Sequence, residues 1–533
     1  MPLCSVVDAM NGTGIPRVHL GHVFLDSVRQ NPDAVSQIDA ATGEKETNAS
    51  VLSRSIRLAR CLRKFGLKPG DVLSLGGRNH LDLFIPYYAA LLNGLPISGV
   101  DPYFKYDEIK SLFKITRPKI AFCQQESYDN YTRALNDLKL DAKIITFDGE
   151  KNNLKQFIEE YDDVESTTEF EPADFDTRKI YAYLISTSGT TGGLKVAAFT
   201  HETFSKQLDM FRRLTVAAKR SDVPEIVLHL SPVQWVSAFV NAIILPVLKQ
   251  IRLQTSRPDD VDHIIEIINK YRPTTCLLSP SLMTTLLNRK DEVDLTCFSI
   301  INVSGSKAYP DAVVQFQGLL REGVRVLQPY GMTETIGPIT IPIPGTPFGS
   351  CGVPMPPHEV KLVDPDSGMT ITEPHVTGEL WSKGPAFSEY YNDPEATAAA
   401  FSEDGFLKTG DLFYRDEKNF YYFVDRIKSL IKYRNSHVLP EELESVILTH
   451  PSVEAVCVCG VPHREDSQRA AACVVPKPGY HVTEQEIIDL VASKLSKTKQ
   501  LHGGVLLVDK LPMTSSGKVA KGKVLELLKT LTQ

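Results

Sequence analysis

Segments with apolar residues at helical spacing alternate with short apolar runs along most of the chain, and this rhythm restricts the fold more than any other feature. "ASVLSRSIRLARCLRKFGL" carries an apolar helical stripe and ends at a glycine, "DVLSLGG" reads as a short strand, "HLDLFIPYYAALLNG" as a helix and "PISGV" as a strand. The same order returns in "DDVDHIIEIINKYRPTTCLLSP". Such alternation predicts an α/β fold with largely parallel sheets, because parallel neighbours need the crossover that a helix supplies. At 533 residues the chain exceeds what one core can organise, and about three to four domain-sized units are expected.

The texture changes after about residue 340. "CGVPMPPHEVKLVDPDSGMTITEPHVTGELWSKG" is rich in Pro and Gly with short alternating runs, which predicts a β-rich subdomain. "NFYYFVDRIKSLIKYRNSHVLPEELESVILTHPSVEAVCVCGV" returns to strands and a helix. A cut at Asp425 to Lys428 divides the chain into residues 1–424, a junction at 425–428 and a C-terminal unit of residues 429–533.

Composition excludes several classes. The net charge of -7, without a Lys/Arg block, argues against a nucleic-acid partner and against a basic surface anchor. The longest apolar runs, "FVNAIILPVL" and "PYYAALLNGLPISGV", fall short of a membrane span, which needs about 20 residues. The start lacks a secretory pattern and the end, "KTLTQ", is not a Ser-Lys-Leu-type address. Nine scattered cysteines suggest reduced thiols. Cys457 and Cys459 in "AVCVCGV" read as one face of a core strand, with no further ligands for a metal. A cytoplasmic location is expected, with a peroxisomal one left open.

Five segments carry polar chemistry. Ser186 to Gly193 contain nothing but Ser, Thr and Gly, followed by Lys195. Glycines let backbone approach a ligand, while amides, hydroxyls and a lysine can surround phosphate. The spacing is not that of GxxxxGK[ST], and the residues alone fit a phosphate cradle or a flexible turn. "LQPYGMTETIG" brings Tyr330, Gly331, Thr333 and Glu334 together; a Tyr face can stack on a base and a Glu can hold Mg²⁺. Asp411 in "DGFLKTGDLF" could accept two ribose hydroxyls. Arg426 lies in "FVDRIKSLIKY" and Lys518 in the polar turn "LPMTSSGKVAKGK".

Together, in this order, these segments resemble the adenylate-forming superfamily, most closely its 4-coumarate-CoA ligase-like and insect luciferase-like acyl-CoA synthetases. "GELWSKGP", "NDPEATAAAF", "GFLKTGDLFYRD", "VDRIKSLIKY", "HPSVEAVCVCGVP" and "HGGVLLVDKLPMTSSGKV" all match its signatures, and the resemblance runs from about residue 20 to the end. It implies a large N-terminal adenylation domain of layered α/β subdomains plus a β-rich one, and a small α+β lid joined by a hinge. It implies ATP, Mg²⁺ and CoA as cofactors and a small-molecule carboxylic acid, fatty or aromatic, as the substrate, in a monomer or weak homo-oligomer. The acid is converted to an acyl-adenylate with release of pyrophosphate, then to an acyl-CoA thioester.

Carried over by position, Thr187, Ser188, Gly189, Thr190, Thr191, Gly192 and Lys195 hold phosphates. Tyr330 and Gly331 line the adenine, Thr333 bonds the α-phosphate and Glu334 binds Mg²⁺. Asp411 and Arg426 take the ribose, and Lys518 bridges the acid and the α-phosphate. His201, Trp235 and Gly305 belong to the substrate pocket, Lys428 to the hinge, and Lys432 and Asn435 to the second half-reaction.

The chain departs from the family pattern in several places. Leu194 and Val196 flank Lys195 where Pro and Gly are usual, Lys307 stands where a small residue floors the base pocket, and Pro329 precedes Tyr330 in place of Gly. "GPAFSEYY" is about one residue short. Trp235 replaces a His and should shorten the acyl pocket. Asn435 replaces a Gly beside the pantetheine path and tolerates a left-handed backbone best among the alternatives. These departures leave two other outcomes open: adenylation without efficient thioester formation, including a luciferase-like oxidation, or a catalytically weakened nucleotide-binding homologue.

Overall fold

The computed structural model describes residues 18–162, 169–188, 194–206, 208, 225–305, 308, 310–365, 367–427, 431–434, 436–438, 440–512, 519 and 521–532. Two seven-stranded sheets form its larger part. One runs in the order Val326–Leu327, Ile300–Val303, Thr275–Leu278, Ile226–His229, Ile251–Gln254, Val35–Asp39 and Lys45–Thr47, parallel except for its last pair. The other runs Glu389–Tyr390, Leu194–Thr200, Tyr181–Ser188, Ile97–Val100, Leu73–Gly76, Ile120–Cys123 and Lys143–Thr146, with its first two pairs antiparallel. The expected α/β layering is therefore present. Strands Leu73–Gly76, Ile97–Val100 and Ile120–Cys123 are buried throughout, as parallel strands covered on both faces must be.

Helix formation follows local rules. Thr47 caps Asn48–Lys64 by accepting from the Ser50 amide, and Arg63 and Lys64 close its last turn. Phe84–Asn93 is apolar on every side and all ten residues are buried, so packing rather than amphipathicity holds it. It ends at Gly94 with φ +66°. A Cβ there would lie 2.5–3.1 Å from the Phe175 ring. The glycine thus supplies both the left-handed turn and the room for the ring.

After residue 326 the chain becomes β-rich, as its texture suggested. Tyr330–Met332, Gly337–Ile341 and Val353–Pro354 form a small antiparallel sheet, and five strands between Glu359 and Arg426 form another. A separate core around Ile431, Leu443, Val458, Ala472 and Val491 builds on a sheet containing Val453–His463 and Ser467–Pro476. Cys457 and Cys459 lie in the first of these strands and are buried. Among the described residues no helix is long and apolar enough to cross a membrane.

Lys499 of the C-terminal sheet's surroundings reaches Glu108 at 3.1 Å and Glu442 at 3.0 Å, with its side chain only 15 % exposed. Lys105 donates to the Ala492 carbonyl beside it. Burial alone would lower the Lys499 pKa, but the two carboxylates hold it above its ordinary value.

Gly94→Ala should destabilise the chain by about 2–4 kcal/mol, from the left-handed penalty and the collision with Phe175 together. A thermal melt should show a midpoint several degrees lower; an unchanged midpoint would show that Phe175 yields freely.

Candidate active site

The carboxyl-terminal ends of parallel strands from both large sheets meet the β-rich region and the C-terminal sheet at one cavity of about 1760 Å³. Ligand sites favour such ends because loops diverge there and leave a crevice. Thr187, Lys195, Trp235, Gly305, Tyr330, Gly331, Thr333, Glu334, Asp411 and Lys432 all reach its wall. The described ends of the Ser/Thr/Gly segment lie on antiparallel strands, where Thr187 pairs with Lys195 and Ser188 with Leu194. Gly189, Thr190, Thr191 and Gly192 lie outside the described residues.

The two departures flanking Lys195 have a local explanation. Val196 sits inside the strand and is buried in the core between the sheet and its helices, with Leu194 packed against the same cluster. Extended backbone needs no glycine, and a β-branched residue fits a strand interior. Val196 therefore belongs to the strand and does not restrict a loop beside Lys195.

Tyr330, Gly331 and Met332 form a strand paired with Gly337–Ile341. A Cβ on Gly331 would overlap the Gly337 carbonyl, so only glycine permits this approach. The Tyr330 hydroxyl donates to Asp411 Oδ2 at 2.7 Å, and its ring meets Phe413 edge-on at 4.5 Å. Asp411 is buried, and its backbone pairs directly with Arg426. The Arg426 side chain lies outside the described atoms. Gly410, with φ +70°, donates its amide to Glu379 Oε1 at 2.8 Å, at a register shift inside strand Leu407–Arg415 that presents Asp411.

Thr333 to Thr335 form a single 3₁₀ turn closed by Ile336 at φ +54°. A buried, β-branched residue in that region is strained, and its surroundings must enforce it. Glu334 is 7 % exposed and its Oε1 accepts from the Tyr390 hydroxyl at 2.7 Å. The Tyr390 ring also lies 4.8 Å from Lys195 Nζ. Burial and the Glu334 carboxylate push the Tyr390 pKa far up, so its hydroxyl keeps its proton. Sequence reasoning missed Tyr390. Its only signal was the shortened "GPAFSEYY" stretch.

Lys432 Nζ stands 4.6 Å over the Phe423 ring, at the C-terminal edge of the cavity. Trp235 precedes helix Val236–Leu248 and lines the wall with Gln234 and Ser237. Gly305 has φ +95° and open space at its Cβ position, so conformation rather than crowding calls for glycine. Lys307, Lys428, Asn435 and Lys518 lie outside the described residues.

His201 does not join the cavity wall, which corrects its assignment to the substrate pocket. It is fully buried, 4.9 Å from the Phe175 ring and 5.4 Å from His19. Burial pushes its pKa down to about 3, so it is a neutral packing residue that fastens the end of strand Leu194–Thr200 to the first helix.

Asp101 is a wall residue that sequence reasoning missed. Burial, with Glu108 nearby and opposed by the Tyr103 amide, raises it to about 6. The donor set suits a metal carried by a ligand rather than a resident one. No cluster of three His, Cys, Asp or Glu side chains that could hold a metal occurs among the described residues. Mg²⁺ needs only one or two carboxylates when phosphates and water complete its shell, and Glu334 fits that role.

Comparison with known proteins agrees with this arrangement. The chain matches the family described as AMP-binding enzyme over residues 24–391, and the AMP-binding enzyme C-terminal domain over residues 442–518. It is 31% identical over 512 residues to a luciferin 4-monooxygenase of Photinus pyralis, covering 93% of this chain and 92% of that one. A 4-coumarate–CoA ligase-like protein of Oryza sativa subsp. japonica is 28% identical, with 91% and 82% covered. The structure of an amide bond synthetase from Marinactinospora thermotolerans superposes with a TM-score of 0.82 at 22% identity, over 95% of this chain and 99% of that one, a likeness of fold.

Asp101 gives a pH prediction. Its folded pKa is raised, so the folded chain binds a proton that the unfolded chain has lost between pH 4 and about 6. Stability attributable to this group falls as pH rises through that window, and the penalty is complete above it. Asp101→Asn should match the wild type at pH 4 and exceed it at pH 7.5 by at most about 3 kcal/mol, measured by urea midpoint.

Proposed function

The chain belongs to the AMP-binding enzymes of the adenylate-forming superfamily, and from that premise we propose that it is an acid–thiol ligase. It joins a carboxylic acid, fatty or aromatic, to ATP, releases pyrophosphate, and passes the acyl group to CoA. The observation that carries this reading is the convergence of Lys195, Glu334, Tyr330 and Asp411 on one cavity, with Tyr330 bonded to Asp411 at 2.7 Å. These residues come from three separate segments, and the grouping suits a nucleotide whose phosphates meet the first two and whose nucleoside meets the last two.

The acid oxygen attacks the α-phosphorus, the new O–P bond replaces the bond to pyrophosphate, and the CoA thiolate later displaces AMP from the acyl carbon. Neither step requires a side chain to transfer a proton at carbon. Both require negative groups to approach one another, so alignment and charge compensation carry the catalysis. Lys195 and the hairpin amides hold the terminal phosphates, Thr333 donates to the α-phosphate, and Lys518 sits between it and the acid. Glu334 would hold Mg²⁺, which would supply further positive charge at the phosphates. Asp411 and Arg426 fix the ribose, and Tyr330 borders the adenine while orienting Asp411.

The acid lies along Trp235 and helix Val236–Leu248, where Val236, Ser237 and Val240 line the cavity together with Leu278 and Leu282. The hinge is at 425–428, between residues 1–424 and 429–533; Lys428 belongs to it, and Lys432 serves the second half-reaction. Asn435 borders the pantetheine path. The similarity to a 4-coumarate–CoA ligase-like protein supports CoA as acceptor.

Purified protein with ATP, Mg²⁺, CoA and a panel of fatty and cinnamic acids should release pyrophosphate and consume CoA. Lys518→Ala should reduce the first step by about 10²–10³-fold, as expected for losing a donor at developing charge. No pyrophosphate with any acid would refute the reading. Pyrophosphate without CoA consumption would instead indicate adenylation for another acceptor.

A further inference from the structure

Lys195 and Glu334 belong to different sheets and are brought to the cavity by unrelated segments, so something must set their separation. The segment Phe387 to Tyr391 contacts both. Its Phe387 amide donates to the Glu334 carbonyl at 2.6 Å. Its Ser388 and Tyr391 amides each donate, at 2.7 Å, to the Ala198 and Val196 carbonyls of the strand carrying Lys195. Tyr390 pairs with Ala197 between them. The Tyr390 amide is held in turn by Thr397 Oγ1 at 2.9 Å. The segment is therefore a strap that ties the lysine strand to the glutamate turn, and Tyr390 is its one side chain that reaches both charged groups.

Resting on the functional reading above, we propose that Tyr390 is a positioning residue that sets Glu334 and Lys195 relative to each other for a metal-bearing triphosphate. The hydroxyl donates to Glu334 Oε1 at 2.7 Å, while the ring face lies 4.8 Å from Lys195 Nζ. A neutral donor orients a carboxylate without cancelling its charge. A ring face restrains a flexible ammonium without supplying a counter-ion. A direct lysine–carboxylate pair would spend both charges on each other and leave less for the phosphates and the metal. One neutral tyrosine keeps both groups ordered and both charges available.

The test is calorimetric titration of ATP into the full chain, with Mg²⁺ and with EDTA. Tyr390→Phe removes the hydroxyl and keeps the ring. Affinity for ATP with Mg²⁺ should fall about tenfold, the scale of one hydrogen bond to a charged group, while affinity in EDTA stays within about twofold. Tyr390→Leu removes the ring as well and should weaken binding in both conditions. Melting curves of the free variants verify that the fold is retained. If Tyr390→Phe keeps the wild-type ratio of affinities with and without Mg²⁺, the positioning role is overturned while the functional reading stands. If the wild-type chain binds no ATP in either condition, the functional reading fails and this proposal with it.

Discussion

Two groups of opposite charge, Lys195 and Glu334, must face one cavity without neutralising each other, and much of the surrounding structure serves that constraint. The paired strands Tyr181–Ser188 and Leu194–Thr200 bring the lysine to the cavity wall, and a strained 3₁₀ turn carries the glutamate toward it. Gly331 lets the turn's own strand approach its partner closely enough. The strap at 387–391 binds the two units through backbone hydrogen bonds, whose geometry is less variable than that of long side chains. Strain at Ile336 is tolerable because this frame is packed on every side.

A second ionic cluster lies where the C-terminal sheet meets the larger part. Lys499 stands between Glu108 and Glu442, and Asp101 is close enough for its charge to be felt. Three carboxylates around one lysine cannot all be comfortably ionised in a buried place. Asp101 also adjoins Gln234, one residue before Trp235. The contact that seats the C-terminal sheet therefore borders the part of the cavity wall formed by Gln234 and Trp235. The two regions share electrostatics although they are far apart in sequence.

The broad fold was legible in the sequence because its signals are local. Alternating helical and strand patterns, the Pro- and Gly-rich change of texture, and the core strand at Cys457 and Cys459 each reflect neighbouring residues only. The residues now found on the cavity wall were nameable through a family resemblance, since Lys195, Tyr330, Glu334 and Asp411 sit in recognisable motifs. His201 shows the limit of that route. It belongs to the same stretch as Lys195, yet the strand between them carries it to a buried aromatic cluster with Phe175 and His19. Val196 shows another: an apparent disturbance of a loop is an ordinary strand residue once the hairpin's register is known.

The sequence by itself determined the layering of the chain, its membership of a family and the types of residue available for phosphate, ribose and metal. Those properties follow from local periodicity and from motifs read along the chain. Only the tertiary structure decided that Tyr330 bonds Asp411, that Tyr390 touches both Glu334 and Lys195, and that Asp101 is perturbed by burial beside Glu108. Each of these depends on distances between segments tens to hundreds of residues apart. Hydrogen bonds and desolvation act over a few ångströms in space, and nothing in the linear order states which distant residues will share that space.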